Sequence, residues 1–403
     1  MLEAISAPEK RVYYCDNQLN QKRQVELNTC ADVYEHWRSY KRLYKKAPKD
    51  GVSFQIDYID TGLALSEEER SKRPIALALH GAPGSYHDYA LLINHLTQQR
   101  VRVIAPNWPE YIATVKTKVL FRHSADEKAA YLRDFLKAIG VRKIDLLISH
   151  SSAIFPTLLL LLNANNEAIE KQKQTEKQIE QVAEEKDREL EEEEGGHVER
   201  GRKISGQNQS GHRHHRRRQH RNQNIKNSYN QPDSNDKNGV VVKFDEPIEI
   251  KAVALLNPAG HRLPKSMKPT WFKCGSVHVY QHKLGRSIFR KFGPAFLTFI
   301  GVPVKVDNMD NVMLSATVMR NSKCQRVVKQ LEQLSQMKIP TLLVFSENDK
   351  LIEKEIFYEM TQFMRLDSKN FDVFNNDGDI ELSRKYFNSS KWWLNYGRLN
   401  SLD

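Results

Sequence analysis

The stretch Ile144-Asp145-Leu146-Leu147-Ile148-Ser149-His150-Ser151-Ser152-Ala153 decides how this chain is read. Its first half is a short, mostly apolar run, which suits a buried strand. Its second half leads directly into the apolar run Ala153 to Leu162, which reads as a buried helix. A strand that turns sharply into a helix tolerates only small residues two positions before and after the apex, because larger ones collide there. Centred on Ser151, those flanks are Ser149 and Ala153, both small; centred on Ser152, they are His150 and Ile154, both bulky. Ser151 therefore takes the apex of a turn like the G-x-S-x-G turn that presents nucleophilic serines, although both glycines are replaced. The plainer reading is a serine-rich N-cap on a buried helix.

Outward from this turn the pattern repeats. Ile75 to Leu79, Val101 to Ala105, Ala252 to Leu256 and Thr341 to Phe345 are further short runs, nearly continuous in apolar residues, with helical patterns between them. Such strands are covered on both faces, as in a parallel sheet. The clearest helix runs from Ser124 to Ile139. Ser124 and Glu127 make a capping box, Ala130, Phe135, Leu136 and Ile139 an apolar face, and Gly140 the stop. Strand and helix in alternation predict the α/β class with a mostly parallel, doubly wound sheet.

In such sheets chemistry gathers in the loops after the carboxyl ends of the strands. After Leu79 comes His80-Gly81-Ala82-Pro83-Gly84. Its glycines let the backbone approach a substrate and offer N–H groups to an oxyanion; a simple Gly/Pro turn is the alternative. After Phe345 comes Ser346-Glu347-Asn348-Asp349-Lys350. Asp349 fits the acid that follows a nucleophilic serine in chain order, and equally fits the cap of a helix starting near Leu351.

These segments resemble the α/β-hydrolase superfamily of the AB hydrolase-1 type, and within it the branch found in nematodes and other invertebrates. The carriers are Leu79 to Ser85, Ile104-Ala105-Pro106-Asn107-Trp108-Pro109, the Glu127 to Leu132 helix, the Ser151 turn, Leu256 to Arg262 and Glu347 to Glu353. The likeness covers roughly residues 50 to 164 and 248 to 400. It implies an α/β-hydrolase core in two parts, 51–164 and 248–403, with a helical cap at about 260–337 and residues 1–50 as an N-terminal extension holding a possible first strand. It further implies Ser151 as nucleophile and Asp349 as acid, with Gly81, Ala82 and Ser152 framing an oxyanion hole.

One position departs from the family. The family pattern closes with a strand, Gly-His and a helix. Here the strand Phe371 to Phe374 is followed by Asn376-Asp377-Gly378-Asp379, so Asp379 stands where the resemblance expects the catalytic histidine, and no histidine follows His282. An ionised Asp is a poor base for a serine hydroxyl and cannot return a proton to the leaving group. In a well-studied serine hydrolase, losing the histidine costs on the order of a millionfold in turnover. His150 lies on the turn itself with its side chain directed away from Ser151, where packing or a surface hydrogen bond is the commoner role; it and His80, His87, His123 and His261 are the candidates for a displaced base.

Residues 165–247 separate the two parts. Glu167 to Glu194 is rich in Glu, Lys and Gln; Arg200 to Arg221 is rich in Arg and His; Asn, Gln, Ser and Asp then dominate to about Asn238. So few apolar residues predict a charged, low-complexity, mostly disordered insertion, in which Glu/Lys pairs can extend the preceding helix to about Glu194. It leaves and re-enters at the pole opposite Ser151, which argues against a lid. Residues 200–221 have no interleaved aromatics for base stacking; they read as a solvated spacer or as an electrostatic site for a polyanion or an acidic protein. Disorder gives the histidines there no fixed geometry for a metal.

The four cysteines are scattered, as reduced thiols are. The start lacks a signal sequence, and no apolar run approaches the about twenty residues that span a bilayer. The chain is thus expected to be intracellular and cytoplasmic, with no transmembrane segment, cofactor or metal. Three functions stay open: a catalytically impaired hydrolase-like protein that binds a small apolar or ester-like ligand, an active serine carboxylic-ester hydrolase with a displaced histidine base, and an adaptor acting through its Arg/His-rich insertion.

Overall fold

Strands that are apolar on both sides need cover on both sides, and the computed structural model of the chain supplies it. It describes residues 22–116, 120–195, 248–265, 270–299, 309–349 and 351–374. Their order is β1 (Lys22–Thr29), α1 (Ala31–Arg38), β2 (Val52–Asp60), α2 (Glu67–Lys72), β3 (Ile75–Leu79), α3 (Ala90–Gln98), β4 (Arg102–Pro106), α4 (Tyr111–Lys116), α5 (Ala125–Ala138), β5 (Lys143–Ile144), β6 (Leu146–His150) and α6 (Ile154–Gly195). The second part adds β7 (Glu249–Ile250), β8 (Val253–Leu256), α7 (Thr270–Tyr280), α8 (Lys283–Phe299), α9 (Met309–Asn321), α10 (Arg326–Gln336), β9 (Thr341–Ser346), α11 (Lys354–Met364) and β10 (Phe371–Phe374).

Eight strands form one sheet in the order β1-β2-β4-β3-β6-β8-β9-β10. The pairs β1–β2 and β2–β4 are antiparallel, and every other pair is parallel. This is the doubly wound, mostly parallel sheet of the α/β-hydrolase fold. Alternate residues of each strand feed opposite faces. Leu77, Leu79, Leu147, Leu255 and Phe345 pack with α5, α6, α10 and α11, while Ala76, Ala78, Ile148, Leu256 and Val344 pack beneath α3. The smaller residues on the second face let that helix lie close.

Strand β1 lies within the first fifty residues, and helix α1 after it contributes to the core. Tyr34 and Trp37 of α1 are fully buried. The capping box at the start of α5 forms as the sequence predicts: Ser124 Oγ accepts from Glu127 N at 3.2 Å, and a Glu127 carboxylate oxygen accepts from Ser124 N at 3.0 Å. Glu127 is itself buried, and its carboxylate also accepts from Arg122 N at 3.0 Å and Tyr34 Oη at 3.2 Å.

A helical cap follows β8. Helices α7 and α9 gather on α4 through Tyr111, Val277, Tyr280, Met309 and Met313. The sequence placed the end of the cap at about 337; α10, however, buries Val327, Leu331 and Leu334 in the main core, because their spacing makes an apolar stripe that faces the sheet layer.

The chain divides into two compact units, one of Met1–Glu167 with Val242–Asp403 and the other of Ala168–Val241. Helix α6 buries Ile154, Phe155, Leu158, Leu160, Leu161 and Ala164 in the first unit. Within the second, the helix is described to Gly195, and its described side chains from Ala168 to Gln178 are exposed. Residues 196–247, including the Arg/His-rich stretch 200–221, lie outside the described residues. The first unit re-enters at β7, whose pairing with β5 lies at the amino ends of β8 and β6.

Because the core of the first unit is complete without the insertion, excising Glu167 to Asn238 and closing with a short Gly/Ser linker is expected to move the melting temperature by only a few degrees, since loop closure changes by about 0.6 kcal/mol per doubling of length. A calorimetric melt of both chains checks this; a large drop would show that the segment packs on the core.

Candidate active site

The parallel register brings two loops face to face. Leu79 of β3 pairs with Ser149 of β6, so the residues two places on, Gly81 and Ser151, leave the same sheet edge side by side. β3 neighbours β4 on one side and β6 on the other, and loops diverge where strand order reverses in this way. Ser151 has φ +51°, in the left-handed region that residues with side chains rarely adopt. It opens a single 3-10 turn, Ser151–Ala153, that runs into α6. Gly81 is required opposite it: a Cβ there would lie 2.7 Å from Ser151 Cβ and 3.3 Å from its Oγ.

Both flanking positions are buried. Ala153 is fully buried. Ser149, in place of the usual glycine, is buried too, and its hydroxyl accepts a hydrogen bond from Thr157 Oγ1 at 3.0 Å, so the added oxygen has a partner inside α6. Ser152 is buried at the start of the helix, where the first N–H groups have no intrahelical acceptor; its hydroxyl has no partner among the described residues.

Asn257 ties the third loop to this one, a role that sequence reading missed. It follows β8 with φ +40°. Its N–H donates to Val344 O at 2.7 Å, its Oδ1 accepts from Ser346 N at 2.8 Å, and its Nδ2 donates to Asp349 Oδ2 at 2.9 Å. Two residues on, Ala259 N donates to Ser151 O at 3.1 Å. One short loop thus holds both the serine turn and the carboxylate of Asp349. The other oxygen of Asp349 accepts from Leu351 N at 2.7 Å and Ile352 N at 2.9 Å. The sequence expected a helix starting near Leu351; α11 starts at Lys354, so Asp349 caps the turn before the helix. Asp379 lies outside the described residues.

The histidines fall into distinct roles. His80 is buried with Nδ1 2.8 Å from Gly81 O, and its Nε2 accepts from Trp108 N at 3.3 Å; Trp108 Nε1 donates to His80 O at 2.7 Å. Both ring nitrogens serve the loop, and burial lowers the imidazole to about 3, so it stays neutral. His261 Nε2 faces Glu359 at 2.7 Å. His123 is buried among Tyr111 and Phe121, and both of its nitrogens lack partners among the described residues. The cap touches the Gly81 loop directly, with Ser315 Oγ of α9 donating to Ala82 O at 2.7 Å. Among the described residues no group of three or more His, Cys, Asp or Glu is arranged to hold a metal ion.

Behind this loop sits Lys128 of α5, buried, with Nζ 4.4 Å from the centre of the Trp108 ring. Loss of hydration lowers its ammonium to about 7. Below that pH the folded protein carries a buried charge. As pH rises from about 7 to the unfolded value of 10.5 the folded state gives up its proton first, and the penalty disappears. Lys128→Met is therefore expected to stabilise the fold by a few kcal/mol at pH 6, with roughly half of the gain gone by pH 9. Urea melts at the two pH values check this; an equal gain at both would show that Lys128 is neutral or paired in the fold.

The sequence matches the family described as "Alpha/beta hydrolase of unknown function (DUF1057)" over residues 38–169 and 238–393. No curated protein matches it. Among solved structures, a thermophilic esterase from Thermogutta terrifontis is similar at 12% identity and a TM-score of 0.47, over 93% of this chain and 98% of the other. The haloalkane dehalogenase DatA from Agrobacterium tumefaciens C58 is similar at 11% identity and 0.46, over 94% and 97%. An esterase from Exiguobacterium antarcticum gives 12% and 0.43, over 85% and 96%. With most of its length outside the insertion matched, and with the sheet order and parallel pairing described above, the chain belongs to this family of α/β hydrolases of unknown function.

Proposed function

We propose that the chain is a hydrolase-fold protein that holds a small apolar or ester-like ligand at Ser151 and turns it over poorly, because Asp379 occupies the place of the general base. The observation that carries the reading is the left-handed Ser151 pressed against Gly81. That geometry is strained, and strain of this kind clusters where a side chain must be presented to a ligand. In this reading Ser151 is the nucleophile position, the N–H groups of Ala82 and Ser152 beside Gly81 face the developing oxyanion, and Asp349 is the acid fixed by Asn257. The Ser152 hydroxyl, without a partner among the described residues, also suits a site that takes up a polar ligand atom or a water.

The last described residue of β10, Phe374, pairs with Ser346 of β9 just before the segment that carries Asp349, and Asp379 comes five positions later in the sequence, outside the described residues. A histidine there would be in chain order for a serine, acid and base. The alternative of an active ester hydrolase with a displaced base is narrowed by the engagement of His80 and His261, and rests on His87, His123 and His150. The finer assignment to the invertebrate branch rests on the quoted motifs, and the adaptor reading on the composition of residues 200–221.

Asp379→His tests the proposal. Turnover of a short acyl p-nitrophenyl ester is expected to rise at least about a hundredfold over the wild type, the scale of a restored general base. It should return to background in Asp379→His/Ser151→Ala. A folded Asp379→His protein without gain would show that the site lacks more than its base. High wild-type turnover abolished by His150→Ala or His123→Ala would favour the displaced base.

A further inference from the structure

Helix α8 buries its small side and shows its large one. Gly285, Phe289 and Gly293 recur every four residues. Gly285 and Gly293 are buried, and a Cβ on them would lie 2.0 Å from Val279 O and 2.8 Å from Met309 Sδ respectively. The seam therefore lets α8 sit tightly on α7 and α9. Leu284, Ile288 and Phe292 make a second series with the same spacing, and they are 74%, 48% and 60% exposed. Val279, whose side chain touches the Gly285 position, is 45% exposed. A contiguous apolar stripe of this kind on a cap marks a binding face.

The charge around the stripe identifies what covers it. No Asp or Glu occurs between Lys251 and Val306. Arg290 is paired with Asp310 at 2.7 Å, and Arg286 donates to the carbonyls of Tyr280 and Gln281. Lys283 and Lys291 are exposed beside the stripe, Lys291 Nζ lying 5.5 Å from the centre of the Phe292 ring. A second copy of the chain would set these lysines against their own kind across a two-fold axis, whereas an anionic surface meets both the charge and the apolar row.

We propose that α8 docks on anionic lipid membranes, with Leu284, Ile288 and Phe292 at the boundary between headgroups and acyl chains and Lys283 and Lys291 against the lipid anions. An amphipathic helix of this composition lies in the plane of the interface without spanning it. Among the described residues, no helix is long and apolar enough to cross a membrane. Helix α9 packs on α8 at Gly293 and reaches the Gly81 loop through Ser315, so a docked α8 stands one helix away from Ser151. The docking does not depend on Ser151 being reactive.

The test is sedimentation of the full-length protein with phosphatidylcholine vesicles, with and without phosphatidylserine. Wild type is expected to bind the anionic vesicles and to be released by salt only in part. Leu284→Gln/Ile288→Gln/Phe292→Gln is expected to weaken binding about tenfold or more, and Lys283→Glu/Lys291→Glu about tenfold, with unchanged melting temperatures because all five side chains are exposed. Wild type that ignores both vesicles would overturn the proposal. Binding that survives the triple variant would overturn it too, moving the contact to residues 200–221. So would a concentration-dependent dimer, seen by analytical ultracentrifugation, that the triple variant abolishes while vesicle binding is absent.

Discussion

Ser151 holds a backbone conformation that costs of the order of 1–3 kcal/mol for a residue with a side chain, and the neighbouring structure is arranged so that it persists. Three elements converge on it. The β3 loop offers a position that only glycine fits, the β8 loop donates Ala259 N to Ser151 O, and α6 begins immediately beyond with buried Ala153. Relaxing the turn would move all three together, because each follows the end of a strand in the same sheet, β3, β8 and β6. A serine cluster serving only as an N-cap would need none of this.

The same edge shows how polar groups are handled when they are buried. The side chain of Asn257 satisfies one backbone group, Ser346 N, and the carboxylate of Asp349, while its backbone N–H donates to Val344 O, so the loop after β8 leaves the sheet with these groups paired. Glu127 is balanced by four donors from Ser124, Arg122 and Tyr34. Lys128, one residue on, lies over the Trp108 ring, and its burial lowers its affinity for a proton. Its positive charge also helps keep His80 neutral, so that the ring can accept from Trp108 N and brace the glycine loop.

Much of this was legible from residue order alone. The buried parallel strands announce themselves as unbroken apolar runs, and α5 by its capping box, because both signals are local. The antiparallel β1 and β2 were less visible: Lys22–Thr29 and Val52–Asp60 mix charged and apolar residues, and their pairing is a long-range event. The size of the Ser151 flanks points to Ser151 as the apex because steric exclusion is written in the side chains themselves, and Ser151 has φ +51°. Asn257 could have been suspected from Asn-Pro-Ala-Gly after a strand, but its triple role depends on three loops meeting in space. That α10 belongs to the core was open to its Val327, Leu331 and Leu334 spacing; cap membership is a matter of which surface a stripe meets, and sequence does not specify the partner.

On the proposed reading, Ser151 keeps the presentation of a nucleophile while the base that would activate it is missing. The rate of Ser151 modification by a fluorophosphonate, followed by intact mass and located by peptide mapping, asks about activation directly, because the reagent reports hydroxyl reactivity without requiring a known substrate. Wild type is expected to be modified no faster than a surface serine. Rapid, stoichiometric modification of Ser151 in the wild-type chain would contradict it and would show that a base is already in place.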